Sequence, residues 1–242
     1  MLIGVVAAGK ATGVTTIAAG LGAAFGADGE NALVIEADVA GGDLAYLRDL
    51  NVDEGGVLSF AAHVGTDGRD AVSAINNHLW RNDRSPQCAV MPLSAGGAGV
   101  EAQIKALWAD GREVLQRWPG PVVIDLGRWG HDLTEQIWNG CDLGVVVCPG
   151  SIAGLRRAEG GWMSQPLRNS FATWRIVNGS PWSVDQIKSD TGLVFESVLE
   201  WDRRCAEAVR VGNWTGVRRR HLARQLSVLT QQITTDRQGV RP

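Results

Sequence analysis

Tyrosine occurs once in this chain, phenylalanine four times and methionine three times, so its aromatic content rests on ten tryptophans. These are scattered from Trp80 to Trp214 with no repeat period, which excludes a repeat array as their origin. Large apolar caps on strand and helix ends account for some of them, and an exposed subset would suit a partner interface. The four cysteines, Cys88, Cys141, Cys148 and Cys205, lack the paired spacing of a metal site. They read as small buried thiols in a reducing, cytoplasmic compartment. No apolar run reaches membrane length, and the apolar start has no basic leader, so neither a spanning helix nor a signal peptide is expected. Positive charge is not in excess: the net charge is -3, which argues against a protein that coats nucleic acid along its whole surface. No Gly-x-Gly-x-x-Gly fingerprint or Cys/His array appears, so redox and sugar-transfer chemistry are disfavoured.

What is present is an ordinary α/β composition, 45% hydrophobic and 20% charged, over 242 residues with no linker. Apolar runs alternate with helical patterns. Strands are expected at 1–7, 32–38, 88–92, 121–125, 143–148, 173–178 and 193–199. Helices are expected at 15–25, 43–47, 58–63, 71–80, 100–118, 153–162 and 183–191. This order predicts a three-layer α/β/α fold with a mostly parallel central sheet. A single domain over 1–233 is expected, ending in an amphipathic helix over about 216–233 and a polar tail over 234–242. That helix carries Leu222, Leu226, Leu229 and Ile233 at spacings of four, three and four. Seven arginines lie between Arg203 and Arg224 against one acid, Glu207. Arg218, Arg219 and Arg220 are therefore either a solvated helix face or a docking surface for DNA, anionic lipid or an acidic protein.

The chemistry concentrates after the first strand. Ala8 to Thr15 fits the phosphate-loop pattern [AG]-x-x-x-x-G-K-[ST] except at one place: Val14 stands where the lysine belongs. Strand, glycine-containing turn and helix N-terminus in that order make an anion site from backbone N–H groups. The N–H groups of Gly9, Lys10, Ala11, Thr12, Gly13, Val14, Thr15 and Thr16 remain to bind a nucleotide, with the Thr15 hydroxyl for Mg²⁺. Open α/β sheets bind ligands beyond the carboxyl ends of their strands. Two acids are expected at that edge, Asp38 after the second strand and Asp125 after Val122-Val123-Ile124. Each reads either as a ligand to Mg²⁺ or its waters, with a catalytic role toward water, or as a turn or helix cap.

Taken with their order along the chain, these segments resemble the ParA/MinD-like ATPases, the deviant Walker A branch of the P-loop proteins. Members carry a loop written Lys-Gly-Gly-x-Gly-Lys-Thr-Thr, here Gly9-Lys10-Ala11-Thr12-Gly13-Val14-Thr15-Thr16. The family's second strand ends in Asp before Gly-Gly, here Glu36-Ala37-Asp38-Val39-Ala40-Gly41-Gly42, and a later site strand ends in Asp, here Asp125. Val177-Asn178-Gly179 resembles the strand whose asparagine faces the adenine, and Val198-Leu199-Glu200-Trp201-Asp202 resembles the late Leu-Pro-x-Asp step. The likeness covers 1 to about 230 and is closest to atypical actinobacterial members. It implies ATP or ADP with Mg²⁺ as ligands, a homodimer, a protein partner, and recruitment from the cytoplasm to a membrane or nucleoid. Lys10, one residue after the family's signature-lysine position, is the candidate to replace the missing charge. The resemblance leaves two functions open. One is a weak nucleotide-dependent switch, and the other is a pseudo-ATPase scaffold for partitioning, conjugation, secretion or pilus machinery.

Overall fold

The computed structural model describes all residues except 11, 53–54, 68–74, 83, 95–98, 161–171 and 238–242. Eight strands form one sheet: β1 Leu2–Ala7, β2 Ala32–Glu36, β3 Trp80–Asn82, β4 Ser85–Met91, β5 Val122–Arg128, β6 Leu143–Pro149, β7 Ala172–Asn178 and β8 Ser197–Leu199. Their spatial order is β3-β4-β2-β5-β1-β6-β7-β8. Every pairing is parallel except that of β3 with β4. The helices described are α1 Val14–Ala27, α2 Leu44–Leu47, α3 Val57–Asp67, α4 Val100–Gln116, α5 Asp132–Trp138, α6 Ile152–Gly160, α7 Val184–Thr191, α8 Arg203–Arg210 and α9 His221–Arg237. Among the described residues no helix is long and apolar enough to cross a membrane.

Central strands β1, β2 and β5 are near-continuous apolar runs because both faces of the sheet are covered. One core packs α3, α4 and α5 on the sheet through Phe60, Ile104, Leu115 and Trp138. The other packs α1, α8 and α9 through Ile17, Phe25, Val209 and Leu226. Helix α1 lies close to the sheet because glycine lines its inner face. A Cβ on Gly22 would sit 2.2 Å from a Val34 methyl. All four cysteines are free and buried, which matches the thiol expectation.

Several boundaries differ from those expected. Trp80 belongs to strand β3, because it pairs with Val90; 71–74, the front of the expected helix, lie outside the described residues. β8 begins at Ser197; just upstream the Glu196 N–H donates to the Arg175 carbonyl of β7, and the Glu196 side chain accepts from Arg175. Helix α9 starts at His221 and continues through 237, so 216–220 are non-helical and the expected tail is shortened. Turn bonds from the N–H groups of Val217 and Arg220, to the Trp214 and Val217 carbonyls, shape that non-helical approach. The largest correction concerns Asp125. It sits inside β5, paired with both Val5 and Glu36, because the strand runs on to Arg128. The helix-cap reading of Asp125 fails with it, as His131 caps α5.

Candidate functional site

The loop between β1 and α1 starts where the Ala8 N–H donates to the Val147 carbonyl at 2.9 Å, which ties it to β6. It ends at Gly13, the N-cap of α1, whose φ of 77° lies in the left-handed region that favours glycine. No side chain caps α1, and the N–H groups of Val14, Thr15 and Thr16 have no acceptor among the described residues. Three convergent donors at the positive end of a 14-residue helix are suited to a phosphate. Lys10 is exposed and makes no ion pair among the described residues. Ala11 lies outside the described residues. Val14 is partly buried against the α1-side core.

Two side chains from far along the chain lie on this loop. The Asn178 amide donates to the Thr12 carbonyl at 2.7 Å, so the asparagine clamps the loop; its own oxygen is buried without a partner. A side chain at Gly13 would meet that amide at 2.8 Å and the Trp201 ring at 3.5 Å. Trp201 is 54% exposed and was not foreseen as a site residue. Its place just past the last strand of the sheet was the signal available.

Asp125 is fully buried beneath the start of α1. It accepts the Gly127 N–H at 3.1 Å, and Thr15 lies close enough to favour its charged form. Burial pushes its pKa up to about 7; Thr15 and the Gly127 bond oppose the rise, while neighbouring Glu36 and Asp38 add to it. Asp38 lies two residues past β2 and is half-buried. Its carboxylate accepts the Ala40 N–H at 2.8 Å, so the turn-cap reading holds, and a Cβ on Gly127 would collide with it at 2.0 Å. Burial raises its pKa, against the pull of the Ala40 bond and nearby Arg128.

Glu36 is a residue that sequence reasoning passed over. It is 2% exposed and accepts N–H bonds from Asp43, Leu44 and Leu93, at 2.8, 2.8 and 3.1 Å. Desolvation raises its pKa and these bonds lower it. One carboxylate thus pins the segment after Asp38 to the end of β4. An acid in an otherwise apolar buried strand was the signal for it.

The donor set fits Mg²⁺ in type: a hydroxyl and carboxylates, all hard oxygens. Among the described residues no three His, Cys, Asp or Glu side chains converge as a ready metal cage. A Mg²⁺ ion here would therefore draw its remaining ligands from water and phosphate, which is its usual habit. The unpartnered α1 donors fit a phosphate. The weak element is charge: Lys10 lies in the loop and Arg128 is near Asp38.

No protein-family model matches the chain, and no curated protein matches it. Solved structures do. A ParA family ATPase from Chlorobium tepidum TLS superposes with a TM-score of 0.76 at 15% identity, covering 96% of this chain and 98% of that one. The chain has the ParA/MinD-type P-loop ATPase fold. Pyrococcus horikoshii MinD, solved with Mg-ADP, gives 0.71 at 16% identity over 96% of this chain and 95% of its own. The Cyanothece McdA(D38A)–ATP complex gives 0.65 at 12% identity over 100% and 97%. At these identities the likeness is one of ParA/MinD fold, carried over essentially the full length of each chain.

Proposed function

We propose that this protein is a ParA/MinD-type nucleotide-dependent switch or positioning protein that binds Mg–ATP weakly and hydrolyses it slowly or not at all. The observation that carries the reading is the set of three N–H groups with no acceptor among the described residues at the head of α1, with Thr15 beside the buried Asp125 carboxylate beneath them. Bound Mg–ATP would supply the phosphoanhydride and the metal. The Val14, Thr15 and Thr16 N–H groups would bind the phosphate, and Gly9 to Thr16 would wrap it. Asp125 would hold the Thr15 hydroxyl in place for the metal, while Asp38 would orient water near it. Asn178 would fix the loop, and Lys10 would add charge. The neighbours solved with Mg-ADP and ATP support this ligand class.

The missing lysine sets the strength. One hydrogen bond to an ionic group is worth about 1.5–3 kcal/mol, roughly ten- to a hundred-fold in affinity. Catalysis loses more, because charge on the transferring group must be stabilised in the transition state. Val14 packs into the core, and this favours the second reading, a pseudo-ATPase scaffold for partitioning, conjugation, secretion or pilus machinery. A homodimer, a protein partner and peripheral recruitment from the cytoplasm to membrane or nucleoid belong to both readings.

Calorimetry with Mg–ATP tests the site. The parent is expected to show saturable binding, and Thr15→Ala combined with Asp38→Ala to weaken it at least about ten-fold. Equal affinity in the two proteins would overturn the assignment.

A further inference from the structure

A second cluster of positive charge lies away from the loop, where α2, β3 and the end of α8 meet. A cavity of about 300 Å³ there is lined by Arg48, Leu50, Trp80, Arg81 and Asn82, a size at the lower end of small-molecule sites. Asn82 pairs with Ser85, the first residue of β4, so this end of β3 is at the amino edge of the parallel strands. The Gly9–Thr16 loop is at the opposite edge.

Arg48 is held rigidly. Its Nε donates to the Arg210 carbonyl at 2.8 Å and one terminal nitrogen to the Val209 carbonyl at 3.3 Å, both at the C-terminal end of α8. One edge of the planar guanidinium is thereby used as a helix cap, and Nη1 has no acceptor among the described residues. Arg81 is exposed and donates to the Asn76 side-chain oxygen at 3.2 Å. Neither arginine forms an ion pair among the described residues. Burial lowers the Arg48 pKa, and the Glu36 carboxylate opposes this from a distance without forming an ion pair; the Cys88 thiol, pushed up to about 11, is neutral at ordinary pH. The Asn82 amide nitrogen lies on the same side, 3.0 Å from where a Cβ on Gly212 would stand.

We propose that the cavity between Arg48 and Arg81 is a second ligand site, one that binds the phosphoryl group of a small molecule. Two guanidinium groups from different elements, one pre-oriented, with an amide between them, match a group that offers three oxygens and more than one negative charge. A lone carboxylate would satisfy a single fork. The site does not rest on the nucleotide reading, as it shares no residue with the loop.

The test is equilibrium dialysis of the full chain with inorganic phosphate and with glycerol 3-phosphate at low salt, with acetate as competitor. Arg81→Ala, at an exposed position, is expected to lose one bound equivalent or weaken it at least ten-fold, while its urea midpoint stays that of the parent. Arg48→Lys keeps the charge, loses the fork, and is expected to weaken the same equivalent. Tighter binding of glycerol 3-phosphate than of inorganic phosphate marks an organic phosphate as the ligand, and equal binding marks phosphate itself. Isotherms of both variants equal to the parent, or acetate competing as well as phosphate, would overturn the proposal.

Discussion

Val14 is where residue identity and backbone geometry diverge. It occupies the first position of α1 directly after a left-handed Gly13, where a phosphate-loop lysine would stand, yet its side chain packs against the core. A lysine there can lay its methylenes on the same apolar surface and extend its ammonium out of it. Val14→Lys is therefore expected to tighten Mg–ATP binding by roughly ten-fold and to raise any hydrolysis. Calorimetry and steady-state phosphate release check this; values equal to those of the folded parent would show that the loop cannot use the charge. Glu36 and Asp125 show the other side of residue-scale reasoning. Each is a buried acid whose role depends on partners remote in sequence, Leu93 for the one and Thr15 for the other.

At the scale of elements, the junction of β8, α8 and α9 depends on one carboxylate. Asp202 caps α8 by accepting the Cys205 N–H at 3.0 Å and also holds Arg220 at 2.6 and 2.9 Å. The Arg220 hydrogen bond holds its pKa below the usual value of 3.8. Below 3.8 the unfolded chain binds the extra proton first, so this stabilisation is present above that pH and is lost as pH falls through the lower folded pKa. Asp202→Asn keeps the capping oxygen but removes the ion pair. Its urea midpoint is expected to lie below that of the parent at neutral pH and to converge with it in acid. A gap that persists unchanged well below 3.8 would assign the difference to the cap instead. Gln225 secures the same junction, accepting the Glu200 N–H at 3.0 Å and donating to the Val198 carbonyl at 3.1 Å; it thereby covers part of the free edge of β8.

Over the whole molecule, charge is unevenly placed: the chain is net -3, yet exposed arginines crowd its C-terminal part. The structure divides that group. Arg220 is bound to Asp202 and Arg203 to Glu207, whereas Arg218 and Arg219 are exposed and make no ion pair among the described residues. A docking surface would thus use Arg218 and Arg219, and changing Arg220 as well would confuse loss of charge with loss of the Asp202 contact. Arg218→Ala with Arg219→Ala is expected to leave the urea midpoint unchanged. It should also abolish salt-sensitive binding to DNA fragments or anionic vesicles. Binding by the double variant equal to the parent at low and near-physiological salt, or none by either, would return these arginines to a solvated face.

The sequence by itself determined the order of strand, glycine turn and helix at the amino end, the alternation behind a mostly parallel sheet, and the absent lysine at Val14. These are local patterns: apolar runs, helical periods and a turn residue are visible within a dozen positions. It also determined which residue types were available at the carboxyl edge, Thr15, Asp38 and Asn178 among them. Only the tertiary structure decided that Asp125 lies within β5 rather than at its end, because a strand's length is set by the neighbours it pairs with. Tertiary packing likewise brought Asn178 onto Thr12 across 166 positions, set Trp201 over Gly13, and joined Arg48 to Arg81 around one cavity. Such contacts have no local period, since chain segments that meet only through the sheet leave no signature in either segment alone.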